Sequence, residues 1–183
     1  MVKVAFLDRD GVINHDTGYI DSIRRFSFVK NVFESLRKLQ SRNFKLVIVT
    51  NQSGIARGYF TLTDLDAIHN YMMQKLESHE ISIDSILVCP HYSKGIIPKY
   101  SKVCSCRKPK TGLLKEYNKS NTVDMMSSVF IGDKGTDMIA ARRFGLKNRI
   151  LISKYWCSTK SKTTFFNISR DIKSAVDLVC RNE

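Results

Sequence analysis

Val2-Lys-Val-Ala-Phe-Leu7, running straight into Asp8-Arg-Asp10-Gly11, is the stretch from which the fold is read. Its β-branched and apolar residues form a short, nearly unbroken run, the pattern of a strand buried on both faces. Lys45-Leu-Val-Ile-Val-Thr50, Ser85-Ile-Leu-Val-Cys89, Ser128-Val-Phe-Ile131 and Arg149-Ile-Leu-Ile152 read as further strands. Helical periods separate them. Val32, Phe33, Leu36 and Leu39 predict a helix over 31–42. Thr61 before Asp64 has the order of a capping box, and Leu65, Ile68, Met72 and Leu76 carry that helix to residue 79. Residues 111–119 predict another, Thr136 to Phe144 one that ends at the natural C-cap Gly145, and Ile172 to Val179 the last. Such alternation predicts an α/β fold with a doubly wound, Rossmann-like parallel sheet and right-handed crossovers.

Two stretches break the pattern. Residues 89–110 are marked by Cys, Lys and Pro, and residues 153–169 are polar and basic. The second reads as a solvated surface loop anchored by Phe165-Phe166.

The 183 residues fit a single domain, 1–183, and a chain of this length buries roughly 70% of its extended surface without disulfide support. With 43% apolar and 26% charged residues, disorder is excluded. No apolar run approaches ~18 residues, so no membrane-spanning helix and no membrane partner is expected. The N-terminus reaches Asp8 too soon for a signal peptide, which predicts a cytoplasmic protein whose five cysteines are reduced thiols or metal ligands. Lys and Arg outnumber Asp and Glu by 30 to 17, a net charge of +13. That charge is compatible with nucleic acid, with a phosphorylated small molecule, or with solubility alone.

The motifs choose among these. Ligands of doubly wound sheets sit beyond the carboxyl ends of the strands. Stationed there are Asp8 and Asp10, Thr50-Asn51, and Gly132-Asp133. Asp8, Asp10 and Asp133 make a hard oxygen set of the kind Mg²⁺ takes together with phosphate and water. Arg107 and Lys108 can bring positive charge to the same edge. Cys89-Pro-His91 and Cys104-Ser-Cys106 offer three thiolates and an imidazole, the tetrahedral preference of structural Zn²⁺. Cys157 and Cys180 lie outside this group and read as free thiols. His69 and His79 read as solvated or structural residues of a helix face, and His15 as a loop residue. The Cys/His spacing is not that of a classical zinc finger, and no aromatic-interleaved basic stripe is present, so no nucleic-acid partner is expected.

Asp8-Arg-Asp10-Gly-Val12, Val49-Thr-Asn51, Lys108 and Gly132-Asp-Lys-Gly-Thr-Asp137 together resemble the four motifs of haloacid dehalogenase superfamily phosphatases. The resemblance implies Asp8 as nucleophile, forming an aspartyl-phosphate, and Asp10 as general acid and then base. It implies Mg²⁺ held by Asp8, the Asp10 backbone carbonyl and Asp133, with Thr50 on the phosphoryl oxygens and Lys108 as fixed positive charge. Asp137 matches the second acid of the fourth motif, and serves equally well as a first-turn helix carboxylate. The spans Asp10 to Thr50 and Thr50 to Lys108 leave no room for a cap domain of ~50 residues or more. A capless enzyme is therefore expected, with a zinc-clamped loop, 89–106, fixed beside the site and aiming Arg107-Lys108 at the substrate.

Within the superfamily, Phe6 to Asn14, Asp16-Thr-Gly-Tyr19, Thr50-Asn-Gln-Ser-Gly-Ile-Ala-Arg-Gly58 and Cys104-Ser-Cys-Arg-Lys-Pro109 resemble the heptose-bisphosphate phosphatases more than the related histidinol-phosphate phosphatases. This implies release of the 7-phosphate of D-glycero-D-manno-heptose 1,7-bisphosphate in the biosynthesis of nucleotide-activated heptose for lipopolysaccharide or other surface glycan. Histidinol phosphate or another small phosphomonoester is the alternative substrate. The implied substrate contacts are Asp16, Thr17, Gly18, Tyr19, Asn51, Gln52, Ser53, Arg107, Lys108 and Lys134. Arg107 is assigned to the second phosphate because a guanidinium binds phosphate in bidentate fashion. A monomer is the default expectation.

Overall fold

The computed structural model describes residues 1–153 and 165–181. Six strands, β1 (Val4–Leu7), β2 (Lys45–Asn51), β3 (Ile83–Cys89), β4 (Val129–Gly132), β5 (Asn148–Ile152) and β6 (Asn167–Ser169), form one sheet in the order β3-β2-β1-β4-β5-β6. Every pairing is parallel. The helices are α1 (Val32–Ser41), α2 (Leu62–Glu77), α3 (Gly112–Ser120), α4 (Gly135–Phe144) and α5 (Ile172–Arg181). Thr61 and Asp64 close the expected capping box on α2, and Gly145 ends α4 at φ 108°.

The unbroken apolar strands follow from having helices on both sides. Ala5 and Leu7 of β1, with Leu46 and Ile48 of β2, pack against α1, α2 and α5. Val4 and Phe6, with Val47 and Val49, face the opposite way, against α3 and α4. Phe6 is fully buried, lying over Phe130 at 6.3 Å and meeting Tyr117 and Phe144 edge-on at 5.6 and 6.0 Å. Strand order reverses at β1, which lies between β2 and β4, so the crevice beyond the ends of β1 and β4 is the natural ligand site.

The sequence reading of 153–169 as loop is corrected at its end: Asn167–Ser169 is a sixth strand, with Asn167 in register with Ile150. Three residues carry no readable period. They become a strand because the free edge of β5 offers unpaired backbone groups. Phe166 packs half-buried against the Phe6 side of the sheet, whereas Phe165 is exposed with the Arg142 guanidinium 4.3 Å from its ring. Residues 154–164 of that stretch, Cys157 among them, lie outside the described residues. Among the described residues no helix is long and apolar enough to cross a membrane.

Phe6→Ala removes the ring on which three other aromatic side chains converge, and is expected to lower the unfolding free energy by about 3–5 kcal/mol. Urea unfolding measures it; a loss below about 1 kcal/mol would contradict this packing.

Candidate active site

Lys108 is buried at the switch point, and its ammonium spends its three donors on the turn after β1, on β2 and on α4. Its Nζ lies 2.9 Å from Asp8 Oδ1 after β1, 2.7 Å from Asp137 Oδ1 on α4, and donates at 2.6 Å to the Val49 carbonyl of β2. Asn51, at the end of β2, clamps the Lys108 backbone from both sides: its Nδ2 donates to the carbonyl and its Oδ1 accepts from the amide, each at 3.1 Å. Burial works to lower the Lys108 pKa, but the Asp8 and Asp137 carboxylates outweigh it and raise it. Asp8 is pushed up to about 7, by burial first; Lys108 opposes this, and Asp137 and Asp10 reinforce it. Asp137 also accepts at 3.0 Å from the Lys134 amide, so it caps α4 and orients Lys108 together.

Carboxylate oxygens of Asp8, Asp133 and Asp137 lie within 4.8 Å of one another. Asp133 Oδ1 is buried without a hydrogen-bond partner. Gly11, at φ 86°, lets the chain turn here; a Cβ at this position would strike the Asp133 carboxylate. The side chain of Asp10 is not part of the converging set. Its Oδ1 accepts from Arg9 Nη2 at 2.8 Å and Asn14 Nδ2 at 3.0 Å, and its Oδ2 from Gln52 Nε2 at 2.8 Å. Burial would raise its pKa, yet Arg9, Asn14 and Gln52 hold it below the usual carboxylate value.

Cys89, His91, Cys104 and Cys106 form the second converging group. Cys89 Sγ lies 3.6 Å from Cys104 Sγ and 2.9 Å from Cys106 Sγ, and His91 Nδ1 lies 3.2 Å from Cys106 Sγ. These separations exceed a disulfide bond and approach the edges of a tetrahedron around one ion, so the set can hold Zn²⁺. The loop between the ligands docks on the turn after β2: the Ile96 and Ile97 amides donate to the Ala56 carbonyl at 2.8 and 3.0 Å. Gly95 permits that approach, since a Cβ there would meet the same carbonyl.

The family model described as polynucleotide kinase 3 phosphatase matches residues 3–175. The D-glycero-alpha-D-manno-heptose-1,7-bisphosphate 7-phosphatase of Photorhabdus laumondii is 38% identical over 151 residues, 82% of each chain. The D-glycero-beta-D-manno-heptose-1,7-bisphosphate 7-phosphatase of Haemophilus ducreyi is 41% identical over 151 residues, again 82% of each chain. The chain belongs to this phosphatase family. Among solved structures, the D,D-heptose 1,7-bisphosphate phosphatase of B. bronchiseptica, complexed with magnesium and phosphate, superposes with a TM-score of 0.86 at 26% identity and covers 100% of both chains.

This heptose-bisphosphate phosphatase relative ties its outer loops to the centre. Lys134 Nζ reaches Asp16 at 2.9 Å and Asp133 at 3.8 Å, fixing the 15–19 segment across the mouth. Asp16 Oδ1 also accepts from the Gly18 amide at 3.0 Å, and the Thr17 carbonyl accepts from Arg25 Nη2 at 3.3 Å. Tyr19 stands exposed, edge-on to Tyr59, and Ser53 is buried in the turn after β2. Arg107 donates to the His91 carbonyl at 3.3 Å. Asn51 and Gln52 hold the site together: Asn51 grips Lys108, and the Gln52 amide bridges Asp10 to Thr50 Oγ1, donating to each at 2.8 Å. His79 stacks on Phe33 at 3.9 Å, and His15 lines a cavity beside Gly11 and Asp133. Cys180 is a free, half-buried thiol, as expected.

Arg9 and His69 carry roles that their types did not announce. Arg9 is fully buried, and its Nη1 lies 3.2 Å from His69 Nε2 on α2. Because a guanidinium only donates, this nitrogen of His69 must accept. Burial, and then Arg9, push the His69 pKa down to about 4. An unfolded imidazole titrates near 6.5, so the unfolded chain takes the proton first. The His69 contribution is complete above pH ~6.5 and is lost as pH falls toward 4, by up to about 3 kcal/mol. His69→Gln keeps the acceptor but cannot titrate. The stability advantage of the parent over this variant should therefore shrink between pH 7.5 and 5; urea midpoints showing a pH-independent difference would contradict this.

Proposed function

We propose that the chain is a Mg²⁺-dependent phosphatase that removes the 7-phosphate of D-glycero-D-manno-heptose 1,7-bisphosphate through an aspartyl-phosphate on Asp8. The reading rests on one observation above all: the Asp8 carboxylate is held 2.9 Å from a buried ammonium, at the edge where the carboxylates of Asp133 and Asp137 converge. The magnesium-and-phosphate complex of the B. bronchiseptica phosphatase and the names of the relatives support it.

The residues suit a divalent cation. Their donors are hard carboxylate oxygens, and the orphaned Asp133 Oδ1 has no other partner. Asp8, the Asp10 backbone and Asp133 would hold Mg²⁺, which when bound offsets the repulsion between the carboxylates and an incoming phosphate. Lys108 favours the ionised form of Asp8 against the burial that raises its pKa, and holds it on station. Asp8 attacks phosphorus, and the bond to the sugar oxygen breaks. Thr50, whose Oγ1 accepts from Gln52, keeps its own proton to donate to a phosphoryl oxygen. Asp10 is ionised at rest; a phosphate dianion beside it favours its protonated form, which can then protonate the leaving oxygen and later activate water. Asp16 to Tyr19, Ser53, Arg107 and Lys134 surround the leaving group. In this reading Zn²⁺ clamps 89–106, and a single 1–183 domain works as a cytoplasmic monomer in nucleotide-activated heptose synthesis, without nucleic acid.

Two measurements test this. Turnover of the bisphosphate should yield heptose 1-phosphate and outrun that of histidinol phosphate, and Asp8→Asn should reduce it below detection. A product that keeps the 7-phosphate, or faster turnover of histidinol phosphate, overturns the substrate assignment. The purified protein should carry zinc and melt at a lower temperature after chelation; no zinc and an unchanged melt would remove the clamp.

A further inference from the structure

Arg57 sits in the Ser53–Gly58 turn beyond β2, and the sequence reading gave it no role. Its Cζ lies 3.9 Å from the centroid of the Tyr92 ring and 5.8 Å from that of Tyr19. Arg107 Cζ lies 5.6 Å from the same Tyr92 ring. These side chains rise from the loops after β1, β2 and β3 and from the segment that places Lys108. The docking of Ile96 and Ile97 on the Ala56 carbonyl is what brings Tyr92 against Arg57. Among the described residues no carboxylate pairs with Arg57, and its Nε–H is buried without an acceptor. Tyr19 and Tyr59, 40% and 54% exposed, extend the wall with aromatic surface.

A half-buried cation with a donor to spare and no acidic neighbour is costly unless an anion completes it. Tyr92 fixes the planar guanidinium by stacking and by a hydrogen bond, and the Nε–H still lacks an acceptor, a donor suited to phosphate. Exposed tyrosine edges beside it suit the apolar face of a sugar ring. We propose that Arg57, stacked on Tyr92 and paired with Arg107, forms the subsite for the phosphate that stays on the leaving sugar, and that Arg57 determines selectivity for a doubly phosphorylated substrate. This deepens the reading given above and rests on it. The competing role for Arg57 is a strut that only holds the zinc loop in place.

The test compares kcat/KM for heptose 1,7-bisphosphate and heptose 7-phosphate in the parent, Arg57→Ala and Arg57→Lys proteins, all loaded with Mg²⁺ and Zn²⁺. Calorimetric binding of heptose 1-phosphate is measured alongside. Loss of one charge-assisted contact should cut the bisphosphate-to-monophosphate preference of Arg57→Ala by about ten- to a hundredfold, chiefly through KM. Affinity for heptose 1-phosphate should fall by a similar factor, and Arg57→Lys should recover part of both. A strut would lower both substrates together and leave the ratio unchanged, and that result overturns the proposal, as does heptose 1-phosphate affinity independent of residue 57. If the parent does not hydrolyse the bisphosphate, yet heptose 1-phosphate binding depends on Arg57, the catalytic reading fails and the subsite stands.

Discussion

A buried ammonium between two buried carboxylates organises this molecule. Lys108 has two anionic partners, Asp8 and Asp137, and a carbonyl of β2 as the third acceptor, so none of its protons is wasted. Removing one member would leave a buried charge uncompensated, a defect that commonly costs about 3–5 kcal/mol. The same constraint explains the nearby polar residues. Asn51 exists to hold the Lys108 backbone, and Asp137 is fully buried at a helix start because it must meet both Lys108 and the Lys134 amide. The end of β1, β2 and the first turn of α4, far apart in sequence, are thereby tied together at the edge where a phosphate would have to arrive.

Further contacts hold the residues around this ion cluster. Asp10 is not left to wander: Arg9, Asn14 and Gln52 hold it, and His69 carries that grip to α2. On the other side, four side chains able to hold a metal converge at the base of the Cys89–Cys106 loop, and its tip is held by the Ala56 carbonyl. The +13 charge acquires structure as well. Arg9, Lys108 and Lys134 are neutralised internally by aspartates, while Arg57 and Arg107 meet aromatic faces and carbonyls.

Much of this was legible in the residues. The strands announce themselves because a two-sided core demands unbroken apolar runs, Asp8, Thr50 and Asp133 because they stand at strand ends, and Lys108 through the motif resemblance. Cys89, His91, Cys104 and Cys106 were equally plain. What escaped depends on partners distant in sequence. Nothing local says that Arg9 is buried, that His69 faces it, or that Gln52 bridges Asp10 to Thr50. Asn167–Ser169 becomes a strand only because β5 lies beside it, and Arg57 gains meaning only once Tyr92 is packed on its face. Side-chain type can be read locally; the direction a polar side chain takes is a tertiary property.

The central claim is that the Lys108-bound carboxylate of Asp8 attacks phosphorus, and the stereochemical course of the transfer tests it most directly. Hydrolysis of a substrate whose 7-phosphoryl group is made chiral with isotopes of oxygen and with sulfur should proceed with net retention, because two in-line displacements each invert the centre. Net inversion would show a single attack by water and would contradict the account.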